Sequence, residues 1–449
     1  EHKGDLTMRV ESGYQDEIGA LADGINLFLE KLVQETEKEH EDILEQADET
    51  DAMFGELYSW YLRNPEYRSR VQKLVQSAFA GKPEDIISQS VAKALYGEVS
   101  PYSATRLERF AACAFAHFLQ YGMKLTERVE YEFKPMDMGN VMHEALESFA
   151  EEVRKRGMKW TELTEQERNE IADRCLDNIV ADYGNTVLKS SARNEYMIER
   201  TRRILRRTVW ALQKQLEQGE FQPEGFEVTF GGGRIDRVDI MEDQNKVYVK
   251  VIDYKTGNTS FDLVYLYHGL QLQLMIYLDG ALRVEQKKYP DKEIIPAGVF
   301  YYNIKDPMIQ EKIDADVEAV SAGLMKELKM NGLVQADPEL VYRMDSSLGS
   351  IPVAFNKDGS FRKNSSVADR TQFAVLGRYV RTKIEKIRSS ILEGDAEVSP
   401  YELGKKNACT YCPYMTVCGF DRRLSGYEFR RLKNFSDEEL WKAFDREAE

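Results

Sequence analysis

The chain has 449 residues, a formal net charge of −16 and a sequence pI near 5.1. This length allows two or three domains, each with an ample core. The acidic balance argues against a general nucleic-acid coat protein, although a local basic channel can still hold DNA in an acidic enzyme. No apolar run approaches the roughly 18 residues that cross a membrane, and no secretory signal opens the chain. The first residue is Glu1 rather than Met, which predicts a fragment or a processed chain.

Residues 1–34 form the first distinct segment. Its apolar residues follow one another in alternating steps of three and four, a heptad seam suited to helix–helix packing. They are Ile18, Leu21, Ile25, Phe28 and Leu32. With GDLT before the seam and DEIG at the helix start, the segment resembles the second half of a HAMP signalling module. An ordinary amphipathic arm is the alternative.

Residues 35–100 predict a helical lead-in, acidic at first and then amphipathic. No G-x-x-x-x-G-K-[ST] loop occurs anywhere in the chain, so no ATPase site is visible. Ser103 is a candidate N-cap for the following helix, ATRLERFAACAFAHFLQYGMKL. Cys113 lies on the apolar side of that helix, where a lone cysteine usually serves packing. The segment DMGNVMHEALESF predicts another helix, which carries His143.

The predicted helices of residues 160–220 contain a dense run of arginines within RNEYMIERTRRILRRTVWALQKQ. A solvated helical face is the ordinary explanation. Such density in an acidic chain also suits a wall that tracks DNA phosphates, for which Arg200, Arg203 and Arg207 are the candidates. Cys175 lies on a helix here and is expected in the core.

Two strands joined by a polar turn are predicted between Gly233 and Lys255. The first strand, up to Ile240, alternates apolar and charged residues, and the turn covers Met241 to Lys246. The second strand, Val247 to Tyr254, consists almost entirely of β-branched and aromatic residues. Asp236, Asp253 and Lys255 are polar where a buried hairpin should be apolar. Two neighbouring carboxylates repel each other and need a cation or a shared proton. Oxygen ligands suit Mg²⁺, Mn²⁺ or Ca²⁺, and strand alternation puts Asp253 and Lys255 on one face.

The next helix, YHGLQLQLMIYLDGAL, is apolar except for Gln271 and Gln273, followed by Tyr277. Glutamines on a buried helix need hydrogen-bond partners. The segment PAGVFYYNI predicts a further strand of the same sheet.

Three cysteines close together near the end of the chain, Cys409, Cys412 and Cys418, form a C-x2-C-x5-C array within ACTYCPYMTVCGFD. Such an array predicts a metal or cluster site in a reducing compartment. A fourth ligand is then needed, and Cys113 is the candidate. Joining residues so distant in sequence removes much entropy from the unfolded chain.

The string GRIDRVD…VIDYKTG resembles the core of PD-(D/E)xK nucleases, and most of all their RecB-type branch. A surface hairpin with ordinary ion pairs is the alternative. The resemblance implies an α/β, restriction-endonuclease-like core in which a mixed sheet is flanked by helices. It implies a metal held by His143, Asp236, Asp253 and the Tyr254 carbonyl, with Lys255 orienting water or offsetting charge. Gln271 or Gln273, and Tyr277, would assist. Asp239 is a weaker ligand candidate, since it lies on the strand face opposite Asp236.

The cysteine pattern, together with YSATRLERFAACAFAHFLQYGMKL and LQLQLMIYL, resembles the C-terminal part of AddB-type nucleases over about residues 45–425. That resemblance implies a [4Fe–4S] cluster on Cys113, Cys409, Cys412 and Cys418, and a cytoplasmic complex with an AddA-type helicase subunit. It implies that the nuclease cuts the 5′-ended strand of DNA breaks for repair and recombination. The expected organisation is a HAMP-like segment (1–34), a lead-in (35–100), a nuclease domain (101–400) and a cysteine segment (401–449). A non-catalytic iron–sulfur scaffold for DNA ends, or a HAMP-mediated signalling adaptor, are the alternatives.

Overall fold

A computed structural model describes residues 44–78, 86–97, 103–126, 135–182, 191–231, 233–309, 316–424 and 426–448. The HAMP-like segment, residues 1–34, therefore lies outside the described residues. Within these ranges no helix is both long enough and apolar enough to cross a membrane.

The helices are named in chain order by their described bounds. They are α1 (Leu44–Arg63), α2 (Pro65–Ala78), α3 (Gln89–Tyr96), α4 (Ala104–Ala112), α5 (Ala114–His117), α6 (Pro135–Lys155), α7 (Glu165–Asp182), α8 (Ala192–Glu217), α9 (Leu263–Tyr267), α10 (Gln273–Lys288), α11 (Val317–Glu327), α12 (Pro338–Met344), α13 (Arg370–Glu393), α14 (Met415–Cys418) and α15 (Asp437–Ala448). A short π-helix (Phe118–Gly122) follows α5, and a short 3₁₀-helix (Trp160–Glu162) follows α6.

The strands are likewise numbered in chain order. They are β1 (Gln222–Phe230), β2 (Gly233–Glu242), β3 (Lys246–Lys255), β4 (Glu293–Asn303), β5 (Asn331–Gln335), β6 (Val367–Ala368), β7 (Tyr401–Leu403), β8 (Lys406–Asn407) and β9 (Arg430–Arg431).

A six-stranded mixed sheet in the order β1-β2-β3-β4-β5-β6 forms the centre of the larger of two compact units. This unit comprises Lys93–Ala112, Lys124–Leu392 and Lys433–Glu449. The strands β1, β2 and β3 run antiparallel as a meander, β3 and β4 are parallel, and β4 and β5 are antiparallel. The predicted α/β class, with a mixed sheet flanked by helices, is confirmed, and PAGVFYYNI is a strand as expected.

The hairpin differs from its prediction at the turn. The predicted turn, Met241 to Lys246, is too long. Met241 and Glu242 pair with β3, opposite Tyr248 and Val247, and Lys246 is the first residue of β3. The turn is only Asp243–Asn245, closed by backbone hydrogen bonds between Asp243 and Lys246. Sequence reasoning also did not predict β1. Its Pro and Gly residues interrupt the strand pattern, and the structure accommodates them in an irregular register between Pro223 and Gly225.

The two faces of the sheet are covered by different helices. Met241, Ile252 and Tyr254 contribute to a core with residues of α6, α7 and α8, and Cys175 is buried in that core, as expected. The helix α10 packs on β3 and β4.

The smaller unit comprises the described residues up to Ala92, together with Cys113–Met123 and Glu393–Leu432. It contains the small sheet β8-β7-β9. One apolar cluster joins the segment after α4 to the C-terminal part of the unit, since Cys113, Ala116 and Leu119 are buried with Tyr414. This packing brings distant cysteines into one unit.

Candidate functional site

Two carboxylates lie across from each other on neighbouring strands of the larger unit. Arg237 of β2 pairs with Ile252 of β3, and the same antiparallel register continued by one residue places Asp236 opposite Asp253. Both aspartates are buried. The backbone N–H of Tyr254 donates to Asp236 Oδ2 over 2.7 Å. The strand pairing alone therefore juxtaposes two negative groups away from bulk water.

Asp253 shows the electrostatic cost of this arrangement. Burial raises its pKa, the negative charge of Asp236 raises it further, and Lys255 and His143 lower it, with the result that the pKa reaches about 7. The Lys255 ammonium lies 2.6 Å from Asp253 Oδ2. One lysine thus offsets only part of the local negative charge, and the position favours an additional cation.

His143 reaches the carboxylates from α6. Its Nδ1 lies 3.4 Å from Asp236 Oδ2 and 3.8 Å from Glu227 Oε1. Burial lowers the pKa of His143, but the hydrogen bonds and charges of Asp236 and Glu227 outweigh that effect and raise it to about 10. Among the described residues, His143, Glu227 and Asp236 are the one set of three that brings potential metal-ligand atoms within 4.8 Å of one another.

Glu227 is a site residue that sequence reasoning missed. It lies on β1 with a φ of 48°, in the left-handed region that non-glycine residues rarely occupy. Its side chain is only 6% exposed and forms an ion pair with Arg234. The one signal in the sequence is a carboxylate between the apolar residues of FEVTF, which gains meaning only once β1 is known.

A second group of polar side chains extends from Lys255 onto α10. Lys255 Nζ donates to Gln273 Oε1 over 2.8 Å, and Gln273 Nε2 donates to the Tyr277 hydroxyl over 2.9 Å. Burial raises the pKa of Tyr277 to about 12, so the phenol stays protonated at neutral pH. Gln271 is not brought to this group: its amide joins Ser260 O and Asp262 N at 2.9 Å each. The structure thus distinguishes the two glutamines that the sequence could not.

Glu108 of α4 is another residue that was missed. Its Oε1 accepts hydrogen bonds from the backbone N–H groups of Leu272 and Gln273. Burial raises its pKa to about 7, although those two N–H groups and Lys255 lower it. The sequence does contain a signal. Glu108 lies on the same side of the helix as the buried residues Ala104, Leu107 and Ala111, where an acidic residue is unexpected.

The weaker candidate Asp239 lies on the other face of β2. It accepts from Arg237 at 2.6 and 2.9 Å and lies 3.0 Å from Lys250 Nζ. All three side chains are buried. Two cations already surround this carboxylate, which gives it a structural rather than a ligand environment.

The arginine run of α8 is largely paired with acids. Arg203 forms an ion pair with Asp306, and Arg207 Nε lies 3.9 Å from the same carboxylate. The Arg207 guanidinium also lies 5.2 Å from the Trp210 ring centre. Arg200 is exposed and makes no ion pair with any residue in the described ranges. A DNA-contacting role for these three arginines stays a prediction.

The four cysteines Cys113, Cys409, Cys412 and Cys418 line one small cavity of the smaller unit. Burial raises the pKa of the Cys113 thiol. The pKa of Cys409 is raised to about 12, mainly by burial and further by the three neighbouring thiols. A single zinc ion with sulfurs at about 2.3 Å would hold them about 3.8 Å apart. No three cysteines in the part of the chain described offer sulfur atoms that all lie within 4.8 Å of one another.

Comparison with known proteins shows the family to which the chain belongs. The family model of the PD-(D/E)XK nuclease superfamily matches residues 101–419. The chain is 41% identical over 425 residues to the B subunit of the ATP-dependent helicase/deoxyribonuclease of Lachnoclostridium phytofermentans, covering 89% of this chain and 36% of that protein. It is 34% identical to the corresponding protein of a Thermoanaerobacter species, which has the same name, covering 89% and 37%. The chain thus spans little more than a third of these relatives, and it belongs to the PD-(D/E)XK nuclease superfamily.

Proposed function

We propose that this chain is the metal-dependent DNA exonuclease module of an AddAB-type helicase–nuclease. The observation that carries the proposal is that His143 and Lys255, both partly exposed, approach the buried pair Asp236 and Asp253. Membership of the nuclease superfamily supports phosphodiester hydrolysis as the reaction.

A divalent cation would be held by His143, Asp236, Asp253 and the carbonyl of Tyr254. The donor set fits, because carboxylate oxygens and an imidazole nitrogen approach one another here, and hard oxygen ligands suit Mg²⁺, Mn²⁺ or Ca²⁺. Glu227 offers a further oxygen next to His143. When bound, such a cation supplies positive charge to the scissile phosphate and acidifies water.

The protein's own groups complete the chemistry. Lys255 is held between Asp253 and Gln273, so its ammonium has a fixed direction from which to donate to the attacking water or to a phosphate oxygen. Gln273 is in turn fixed by the Tyr277 hydroxyl. A lysine restrained in this way loses little freedom when the substrate binds.

The thiol cavity would hold a [4Fe–4S] cluster on Cys113, Cys409, Cys412 and Cys418. Cysteine thiolates are the usual ligands of such clusters, and four of them meet here from two distant parts of the chain. The raised pKa values of Cys113 and Cys409 mean that cluster binding must displace protons from these two thiols. The cluster would stabilise the smaller unit rather than take part in cleavage.

The name of the relatives, which designates one subunit of a helicase/deoxyribonuclease, supports a DNA substrate and a protein partner. We infer that the substrate is the single-stranded end of a duplex break, cut on the 5′-ended strand. We also infer a heterodimeric partner, the AddA-type helicase subunit, and a cytoplasmic location.

A cleavage assay after anaerobic purification tests the proposal. A duplex with one single-stranded end, labelled at its 5′ end in one reaction and at its 3′ end in another, is incubated with Mg²⁺ or with EDTA. Asp253→Ala should abolish cleavage and leave iron content and cluster absorbance unchanged. Asp243→Ala, an exposed aspartate in the turn of the same hairpin, should cut like the wild type. Mg²⁺-dependent cleavage by Asp253→Ala would count against the assignment.

Elemental analysis of the same preparations tests the cluster. Iron and acid-labile sulfide at about four equivalents each are expected for a [4Fe–4S] cluster, with loss of both in Cys412→Ser. Zinc at about one equivalent without iron would refute the cluster but not the nuclease. DNA binding without any cleavage by the wild type would instead favour the scaffold alternative.

A further inference from the structure

Glu108 joins two helices that are far apart in the chain. From α4, its Oε1 accepts from Leu272 N over 2.7 Å and from Gln273 N over 2.9 Å. These two N–H groups open α10, the helix that carries Gln273 and Tyr277. A single carboxylate oxygen, part-buried, thus holds the beginning of that helix.

The start of α10 depends on this contact. The first N–H groups of any helix lack partners within it, and a side chain usually caps them from the residue just before the helix. The N-cap residue of α10 is Leu272, whose side chain makes no capping hydrogen bond. Glu108 supplies the missing acceptor from another helix, and a carboxylate also suits the positive end of the helix dipole.

Gln273 links this cap to the candidate active site. Its backbone N–H binds Glu108, while its side-chain Oε1 accepts from Lys255 Nζ over 2.8 Å. The position of the Gln273 backbone therefore fixes where its amide meets the lysine. Lys255 in turn lies 2.6 Å from Asp253.

We propose that Glu108 is a positioning residue for the nuclease: by holding the first turn of α10 it directs Gln273 onto Lys255. The inference rests on the nuclease function proposed above. Glu108 itself need not touch DNA or metal. The lysine would lose its fixed direction if the first turn of α10 shifted, and misplacement by about 1 Å is enough to slow an enzyme severely.

Two replacements of similar size separate this role from general stability. Glu108→Gln retains an acceptor oxygen for the two N–H groups, whereas Glu108→Met fills the same space without one. Asp337 provides a matched control, because its Oδ1 caps α12 by accepting from Glu339 N at 3.0 Å and Leu340 N at 3.3 Å. Asp337→Ala removes a carboxylate cap that has no link to Lys255.

The test measures kcat and KM for Mg²⁺-dependent cleavage of the end-labelled duplex by the full chain, with thermal unfolding alongside. Glu108→Met should lower kcat about 10- to 100-fold with KM nearly unchanged, and Glu108→Gln should restore most of the loss. Asp337→Ala should lower the unfolding temperature without lowering kcat. If Glu108→Met does not fold, Glu108→Asp, whose carboxylate is too short to reach both N–H groups, should show the same loss of kcat.

A double mutant decides whether Glu108 acts through Gln273. In a Gln273→Ala background, Glu108→Met should cause little further loss, because the group it directs is already absent. If the losses of kcat caused by Gln273→Ala and Glu108→Met multiply in the double mutant, the inference is overturned. Equal losses of kcat for Glu108→Met and Glu108→Gln, or an unchanged kcat in Glu108→Met, would also overturn it. A wild-type chain that does not cut at all would refute the proposed nuclease function itself, which is a separate outcome.

Discussion

Two aspartates on β2, three residues apart, have opposite environments. Asp239 lies directly opposite Lys250 on β3, and Arg237 also donates to it, so one buried carboxylate faces two buried cations. On the other face of the same strands, Asp236 lies opposite Asp253, another carboxylate. One cross-strand pair is complementary in charge and the other is repulsive.

The difference separates a structural ion cluster from a binding site. Around Asp239 the charges are satisfied within the protein, and its cations hold its pKa below the usual range despite burial. On the face of Asp236, burial and the negative charge of Asp236 raise the pKa of Asp253 to about 7, although Lys255 and His143 lower it. A fold keeps such an unfavourable pair where something else supplies the missing charge, and here the candidate is a divalent cation.

The largest expected effect belongs to the satisfied cluster. Asp239→Asn leaves the cations of Arg237 and Lys250 buried without their common carboxylate. Breaking a buried ion cluster in this way costs about 3–5 kcal/mol of unfolding free energy. Urea denaturation should show this loss, while the exposed Asp243→Ala, which loses only a surface ion pair with Arg343 and a turn hydrogen bond, should cost about 1 kcal/mol or less. A loss below about 1 kcal/mol for Asp239→Asn would mean that the cluster does not hold the hairpin.

Divalent metal should stabilise the protein by binding on the face of the sheet that carries Asp236 and Asp253. At a free Mg²⁺ or Mn²⁺ concentration about 100 times the Kd, the wild-type chain should gain about 2.7 kcal/mol of stability. The Asp236→Asn variant should gain almost no stability, because a neutral amide oxygen then replaces the charged carboxylate next to His143. Calorimetric unfolding with increasing metal, compared with EDTA, provides the measurement. Equal stabilisation of both proteins would place the metal elsewhere.

The comparison also shows what the sequence could and could not predict. Asp236, Asp253 and Lys255 were found because polar residues stand out in buried strands, and strand alternation correctly assigned Asp239 to the opposite face. Glu227 and Glu108 were missed because each depends on contacts between segments distant in sequence. Glu227 reaches His143 through a strand that Pro and Gly residues obscure, and Glu108 caps a helix more than 160 residues later.

Gln271 and Gln273 illustrate the same limit. Both interrupt one apolar helix pattern, and two residues of separation give no reason to prefer either. The structure begins α10 at Gln273, so Gln271 remains in the preceding turn and binds loop backbone atoms. Where a helix begins depends on its cap, and here the cap comes from Glu108 on another element.

Removing one charge of the Asp236–Asp253 pair should raise stability, by less than the losses and gains predicted above. Without divalent metal at pH 8, Asp253→Asn removes one of two facing negative charges and should raise the unfolding free energy by about 1 kcal/mol or less. With saturating metal the order should reverse, because only the wild type gains the binding energy. Urea denaturation in EDTA and in Mn²⁺ measures both states. A variant less stable than the wild type in EDTA would indicate that the Lys255 ion pair outweighs the repulsion.

The last comparison concerns Glu108, a fourth carboxylate beside Asp236, Asp239 and Asp253. It accepts from two backbone N–H groups and makes no ion pair in the described part of the chain. Burial raises its pKa from 4.5 to about 7, so between these values the folded protein binds more protons at this group than the unfolded chain does. Its contribution to stability is therefore complete below about pH 4.5 and declines as the pH rises through 7. Glu108→Gln does not titrate, so its unfolding temperature relative to the wild type should increase from pH 5 to pH 8 in EDTA. Parallel curves for the two proteins would show that the N–H groups compensate the carboxylate fully, and Glu108 would then resemble Asp239 rather than Asp253.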